Sequence, residues 1–198
     1  MMVHEPITIR KATQKDAADL AIIDNMASFG MSLAFWQHAV TTGEAEDVLV
    51  FARERFADKG SIFGWKNAFV AENENEVLGA VTVYEMPEPD DEIDEIKRLF
   101  PRFVPVFELF GETVGDWFID SLGVFPQARG NGIGGRLVNW ALERSKEQNY
   151  KTAALVVESD NEPAVALYEA KGFSKMKSLP KIEEDAKGEW LLMKAVLS

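Results

Sequence analysis

The chain has 198 residues, 46% of them hydrophobic, a formal net charge of −12 and no cysteine. That is enough apolar material for one domain with a sizeable core and excludes a disordered chain, while the missing cysteine removes disulfides, a thiol nucleophile and thiolate metal sites together. The negative charge argues against nucleic acid or an anionic membrane as a partner, no apolar run approaches the ~18 residues of a membrane span, and the opening residues lack a secretion signal, so a soluble cytoplasmic protein is expected.

Residues 7–12 alternate in polarity and predict a first strand. Thr13 then caps a helix, with Asp16 three residues on in a near capping box and Ala17, Leu20, Ile23 and Ala27 at helical spacing. Gly30 breaks this helix. A second is expected over 32–40, with Leu33, Trp36, Gln37 and Val40 on one face, and a third over about 44–57, with Val48, Phe51, Ala52 and Phe56 inward. Residues 67–72 and 77–84 read as a hairpin around the turn 73–76.

An insertion follows at about 87–115. It opens with the acidic, proline-rich run Pro87-Glu88-Pro89-Asp90-Asp91-Glu92. Ile93, Ile96, Leu99 and Phe100 then predict a short amphipathic helix, acidic at its start and basic at its end, stopped by Pro101. Residues 103–110 are strongly apolar but interrupted by Pro105, which predicts a packed loop. Residues 116–124 form a central strand, apolar except at Asp116 and Asp120. A glycine-rich loop and a helix over about 134–148 lead to the continuously apolar strand 153–158, as expected of parallel strands joined by a crossover helix. Asp160 and Asn161 cap another helix with Pro163 in its first turn. Gly172 ends it, and two strands at 173–179 and 190–197 complete the chain.

The stretch that carries chemistry is Arg129-Gly130-Asn131-Gly132-Ile133-Gly134-Gly135. Its glycines leave the main-chain N–H groups uncovered, and the helix behind it points its positive dipole end at the loop, which makes an anion site suited to phosphate or pyrophosphate. A P-loop needs Gly-Lys-Ser or Gly-Lys-Thr next, and Gly135-Arg136-Leu137 stands there instead. The letters also satisfy Gly-x-Gly-x-x-Gly, with Glu158 placed like a ribose-binding acid, so a dinucleotide-binding oxidoreductase domain is an alternative. Against it, residues 125–129 separate the strand from the glycines, and too little chain follows for a doubly wound sheet.

Arg129-Gly130-Asn131-Gly132-Ile133-Gly134 resembles the Arg/Gln-x-x-Gly-x-Gly/Ala signature of the GNAT superfamily of acyl-CoA-dependent N-acetyltransferases. Leu122-Gly123-Val124-Phe125-Pro126 resembles that family's Leu-Ala-Val-x-Pro strand exit, with Gly123 in place of the commoner alanine. Downstream, Asn161-Glu162-Pro163-Ala164-Val165-Ala166-Leu167-Tyr168-Glu169-Ala170-Lys171-Gly172-Phe173 matches its Asn-x-x-Ala-x-x-Leu-Tyr-x-x-x-Gly-Phe block. The resemblance implies an α/β (α+β) fold with a central mixed, splayed sheet of about six to seven strands flanked by helices. It implies one N-acetyltransferase domain over 1–198, the insertion at about 87–115 being its main departure.

The resemblance further implies acetyl-CoA as co-substrate, with no metal. The loop amides of Arg129, Gly130, Asn131, Gly132, Ile133, Gly134 and Gly135 would hold the pyrophosphate. The main chain of Leu122, Gly123 and Val124 would meet the pantetheine arm, with the thioester in the gap toward strand 153–158. Tyr168 would protonate the leaving thiolate and also touch the coenzyme, and Asn161 would contact the coenzyme. Transfer to an amine needs a base as well. Asp120, an acid in an apolar strand whose burial would raise its pKa, is the candidate, with Asp116 and Glu85 as rivals. Without cysteine, direct attack in a ternary complex is the simpler route. Ser121 lacks the glycine before it and the histidine after it that a nucleophile elbow needs. His4 and His38 are too few for zinc.

The expected acceptor is a small-molecule or peptide primary amine, met by the helices of 28–57, by 103–110 and by the strand ends near Glu85 and Asp120. The acids of the insertion suit a cationic one. A homodimer is compatible with the resemblance. A non-catalytic acyl-CoA sensor of the same fold is the second functional class.

Overall fold

The strand and helix signals resolve into an ordered series. The computed structural model describes residues 6–28, 30–89, 93–182 and 187–197. In chain order the elements are β1 (Thr8–Lys11), α1 (Ala17–Ala27), α2 (Met31–Thr41), α3 (Val48–Ala57), β2 (Ala68–Glu72), β3 (Val77–Glu85), α4 (Ile93–Leu99), α5 (Val104–Gly111), β4 (Trp117–Val124), α6 (Ile133–Glu147), β5 (Thr152–Glu158), α7 (Glu162–Ala170), β6 (Ser174–Pro180) and β7 (Glu189–Val196). The seven strands form one sheet in the order β1-β2-β3-β4-β5-β7-β6. It is mostly antiparallel, with β4 and β5 parallel, so it is mixed as expected.

The chain divides into two compact units, residues 1–83 with 121–137 and residues 84–120 with 138–198. In the first, β1 and β2 pair antiparallel with Ile9 opposite Ala71, and β2 continues into the β3 hairpin. Asn73 Oδ1 closes that turn by accepting from the Asn75 and Glu76 amides, the side-chain mimicry that makes asparagine a turn residue. Leu20 and Ile23 of α1, Trp36 of α2 and Phe56 of α3 pack with Val70 and Ala80 of the hairpin. The Thr13–Asp16 capping box is present, on a short 3₁₀ turn that runs into α1. Asp16 also takes a two-pronged bond from Arg10 at 2.8 and 2.9 Å.

In the second unit, β5 pairs with β7 over seven residue pairs, and β4 meets β5 at Trp117↔Ala153 and Phe118↔Ala154. The Trp117 indole N–H reaches the Ala141 carbonyl of α6 at 3.1 Å, so the ring is buried with its one donor satisfied.

Three expectations change. The third helix starts at Val48, not near 44, because Asp47 caps it by accepting from the Leu49 and Val50 amides at 2.9 Å. Gln37 is exposed, and Ala39 joins Trp36 on the buried side of α2. Residues 103–110, expected as a packed loop, are the helix α5 behind a 3₁₀ turn. Pro105 falls in the helix's first turn, where its missing N–H costs nothing, so it starts the helix rather than breaking it. Leu109 is fully buried, and Phe110 meets the Phe118 ring edge-on at 5.2 Å. Asp90, Asp91 and Glu92 of the expected acidic run lie outside the described residues.

Candidate active site

The glycine-rich loop belongs to the first unit. After β4 the chain makes a 3₁₀ turn at Pro126–Ala128, and Gly130 and Gly132 then take φ of +81° and +71°. That is the left-handed region, where any side chain adds strain, so these two positions call for glycine. Arg129 folds back, its Nε donating to the Val124 carbonyl at 3.0 Å, and the Asn131 amide donates to the Ala128 and Arg129 carbonyls at 3.1 and 3.3 Å. Both side chains brace the loop from within. Ile133 opens α6 and is buried, so what it can offer a ligand is its main chain. The first N–H groups of a helix have no acceptor inside it. Here they belong to Ile133, Gly134 and Gly135, following two glycines. This donor set fits a pyrophosphate held by dipoles rather than by cations. Leu122, Gly123 and Val124 are half-buried at the end of β4.

The second motif block lies in the second unit. Asn161 caps α7, its side chain facing the Ala164 amide at 3.4 Å. Tyr168 is buried on the helix's inner side, its ring 5.8 Å from Phe173, and Gly172 ends the helix at φ +89°. Burial pushes the Tyr168 phenol up to about 12. It is therefore protonated at neutral pH and has a proton to give.

The acids that the sequence singles out each meet a defined partner in the second unit. Asp120 is half-buried and accepts from the Tyr84 hydroxyl at 2.7 Å. Glu85 is exposed and accepts from the Tyr150 hydroxyl at 2.6 Å. Burial, with Glu85 behind it, pushes the Tyr150 phenol up to about 12, so that hydroxyl stays a donor. Asp116 is paired with Lys194 at 2.7 Å. Glu158 pairs with Lys181 at 2.9 Å, and that ammonium lies 5.4 Å from the Trp190 ring centre, so the acid that a dinucleotide reading needs is engaged in an ion pair.

One acid of the first unit was not anticipated. Asp24 of α1 is only 7% exposed. The Ser32 hydroxyl of α2 donates to its Oδ2 at 2.5 Å, and the Ser121 hydroxyl of β4 is also bonded to it. Burial pushes its carboxyl up to about 6, although the Ser32 bond, the charge of Arg55 and the Ser121 bond pull the other way. Gly123 shows how α1 comes so close. A Cβ there would lie 2.8 Å from the Ile23 methyl Cγ2 and 3.3 Å from the Ile23 carbonyl oxygen. The signal that was available is helical spacing: Asp24 lies four residues after Leu20 and three before Ala27, on the buried face of α1. Beside α3, a cleft of about 430 Å³ is lined by Phe51, Phe63 and Arg55 with the acids Glu44, Glu54 and Asp58.

A profile of the acetyltransferase (GNAT) family matches residues 38–173, more than half of the chain. The chain belongs to the acetyltransferase (GNAT) family. Among GNAT relatives, the mycothiol acetyltransferase of Streptomyces avermitilis is 40% identical over 63 residues, 32% of this chain and 20% of that protein. The chain thus spans about a fifth of the length of the curated relatives it matches. An N-acetyltransferase from Staphylococcus aureus Mu50 shares the fold, with a TM-score of 0.63 at 21% identity over 95% of this chain and all of that one. So does a Salmonella typhimurium chain described as an acetyltransferase with its cofactor acetyl-CoA, with a TM-score of 0.58 at 17% identity over 98% and 95% of the two chains.

Within the GNAT frame, Gly123 stands at the position where alanine is commoner, and the approach of Ile23 is its physical reason. No cluster of three metal-binding side chains occurs among the described residues, and no helix among them is long and apolar enough to cross a membrane.

Proposed function

We propose that this GNAT domain moves an acetyl group from acetyl-CoA to a primary amine by direct attack. The observation that carries this reading is the loop at the start of α6, where two left-handed glycines lead into the first amides of the helix on a protein of net charge −12. Such a protein repels a multiply charged anion at long range and needs local groups such as main-chain dipoles to hold it. The loop is assigned to the pyrophosphate, and the main chain of Leu122, Gly123 and Val124 to the pantetheine arm.

When bound, acetyl-CoA supplies an activated carbonyl. The protein must strip one proton from the acceptor ammonium so that its nitrogen can bond to the acetyl carbon as the carbon–sulfur bond breaks. Tyr168 gives its proton to the departing sulfur and regains one from the new amide nitrogen. The products are the amide, the CoA thiol and one proton. Asn161, already the cap of α7, is assigned a coenzyme contact. Asp120 and Glu85 are assigned to the acceptor side of the site, where the strand ends would meet the amine. The acids beside α3 suit a cationic acceptor, and the inserted helices α4 and α5 are where we place acceptor selectivity within a single catalytic domain.

Calorimetry with CoA and with NAD side by side tests the ligand. Binding of CoA alone is expected, and tight NAD binding with no CoA signal would sink the proposal. Release of free thiol from acetyl-CoA is then followed with spermidine, kanamycin, a lysine peptide and a peptide with a free alanine N-terminus. Binding of acetyl-CoA with no release above the hydrolysis rate for any amine would leave an acyl-CoA-binding protein instead.

A further inference from the structure

The close contact of α1 with β4 has a chemical result. Ile23 presses on Gly123, and the next residue, Asp24, is carried onto the Ser121 hydroxyl. Ser121 directly precedes Leu122–Val124, the segment assigned above to the acyl arm. Four elements of one compact unit meet here. Asp24 comes from α1, Ser32 from α2, Ser121 from β4, and Arg55 of α3 is the charged group whose field reaches the carboxylate. Asp24 and Ser121 are both almost fully buried, at 7% and 5% exposure. A buried carboxylate held by hydroxyls keeps a real affinity for protons, since a hydroxyl offers a bond without the full charge of a cation.

We propose that Asp24, acting through the Ser121 hydroxyl, takes the proton that the acceptor ammonium loses before it attacks. This rests on the acetyl-transfer reading. Ser121 Oγ accepts the ammonium proton as its own proton passes to the Asp24 carboxylate. The nitrogen keeps the freed electron pair for the acetyl carbon, and Asp24 later returns the proton to solvent, so no oxidant or further reactant enters. Asp24 is then a positioning residue for protons, and the hydroxyl is the group that meets the amine. The Ser32 bond fixes the carboxylate toward β4. A carboxyl titrating near 6 is deprotonated at neutral pH yet more basic than an exposed one, which suits this task.

The test is the pH profile of kcat for thiol release between pH 5 and 9, using the panel amine with the fastest turnover. Parent, Asp24→Asn, Ser121→Ala and Asp120→Asn are compared, each with its acetyl-CoA affinity measured by calorimetry. The parent is expected to lose activity below an acid midpoint near 6. Asp24→Asn should fall at least ~100-fold and lose that midpoint while binding acetyl-CoA normally. Ser121→Ala should fall in the same direction, and Asp120→Asn should keep the midpoint. A folded Asp24→Asn with the parent's midpoint and a rate within a few-fold overturns the proposal. If Asp24→Asn does not fold, a Ser121→Ala profile identical to the parent's overturns it equally. A parent that binds no acetyl-CoA brings down the acetyl-transfer reading itself, and calorimetry separates that failure from the others.

Discussion

Asp24 and Asp120 make an instructive pair. Each is an acid in apolar company, but the two units surround them differently. Asp120 meets the Tyr84 phenol, and its neighbours in the second unit follow the same pattern, with Lys194 on Asp116, Tyr150 on Glu85 and Lys181 on Glu158. Asp24 is buried more deeply and meets aliphatic hydroxyls, with its cation, Arg55, acting only through its field. Apolar flanks in a sequence therefore do not tell which partner an acid meets. The group facing the carboxylate decides whether burial or stabilisation of the charge wins.

The contrast can be broken most forcefully at the proton donor. Tyr168→Phe should lower kcat ~100-fold or more with the acetyl-CoA affinity little changed. A rate equal to the parent's would remove Tyr168 from the chemistry. Next comes the linkage of Asp24 to folding. Its folded pKa, about 6, lies above the ordinary 3.8, so the native state holds a proton that the unfolded chain gives up. Its favourable contribution is present below about pH 4 and is lost as pH rises through about 6. The stability of Asp24→Asn relative to the parent should grow by about 3 kcal/mol across that window and stay level above it. Paired denaturant titrations at pH 4.5, 6 and 7.5 check this, and a flat difference would make Asp24 an ordinary surface-like acid.

Smaller effects sharpen the other side. Lys194→Met removes the ammonium from a partly buried Asp116 and should cost about 1–3 kcal/mol at neutral pH in a denaturant titration. Gly123→Ala forces a methyl against Ile23, which is itself 1% exposed, and should cost about 1–2 kcal/mol as the helix gives way. If it costs nothing, α1 is not pressed onto β4, and the surroundings proposed for Asp24 lose their cause.

Much of this was legible in the residues. Gly130 and Gly132 stand where the backbone must turn left-handed, and the Asn161–Phe173 block reads as cap, inner face and stop because each residue has a local task. Local tasks leave local signatures. Pro105 misled because one proline both breaks a helix and begins one, and only its place relative to the 3₁₀ turn before it decides. Asp24 was missed for the opposite reason. The spacing within α1 puts it on the inner face, but its partners come from Ser121, nearly a hundred positions away, and from a strand glycine that lets the helix in.

That carboxylate also bears on how such a domain would be engineered. Selection for heat resistance alone, run at neutral pH, would favour replacing Asp24 by a neutral isostere, because the folded protein is held back there by a charge it must keep dry. On the proton relay proposed above, the survivors would be sturdier proteins with a much lower rate of acetyl transfer. Heat and turnover therefore have to be screened together in this domain.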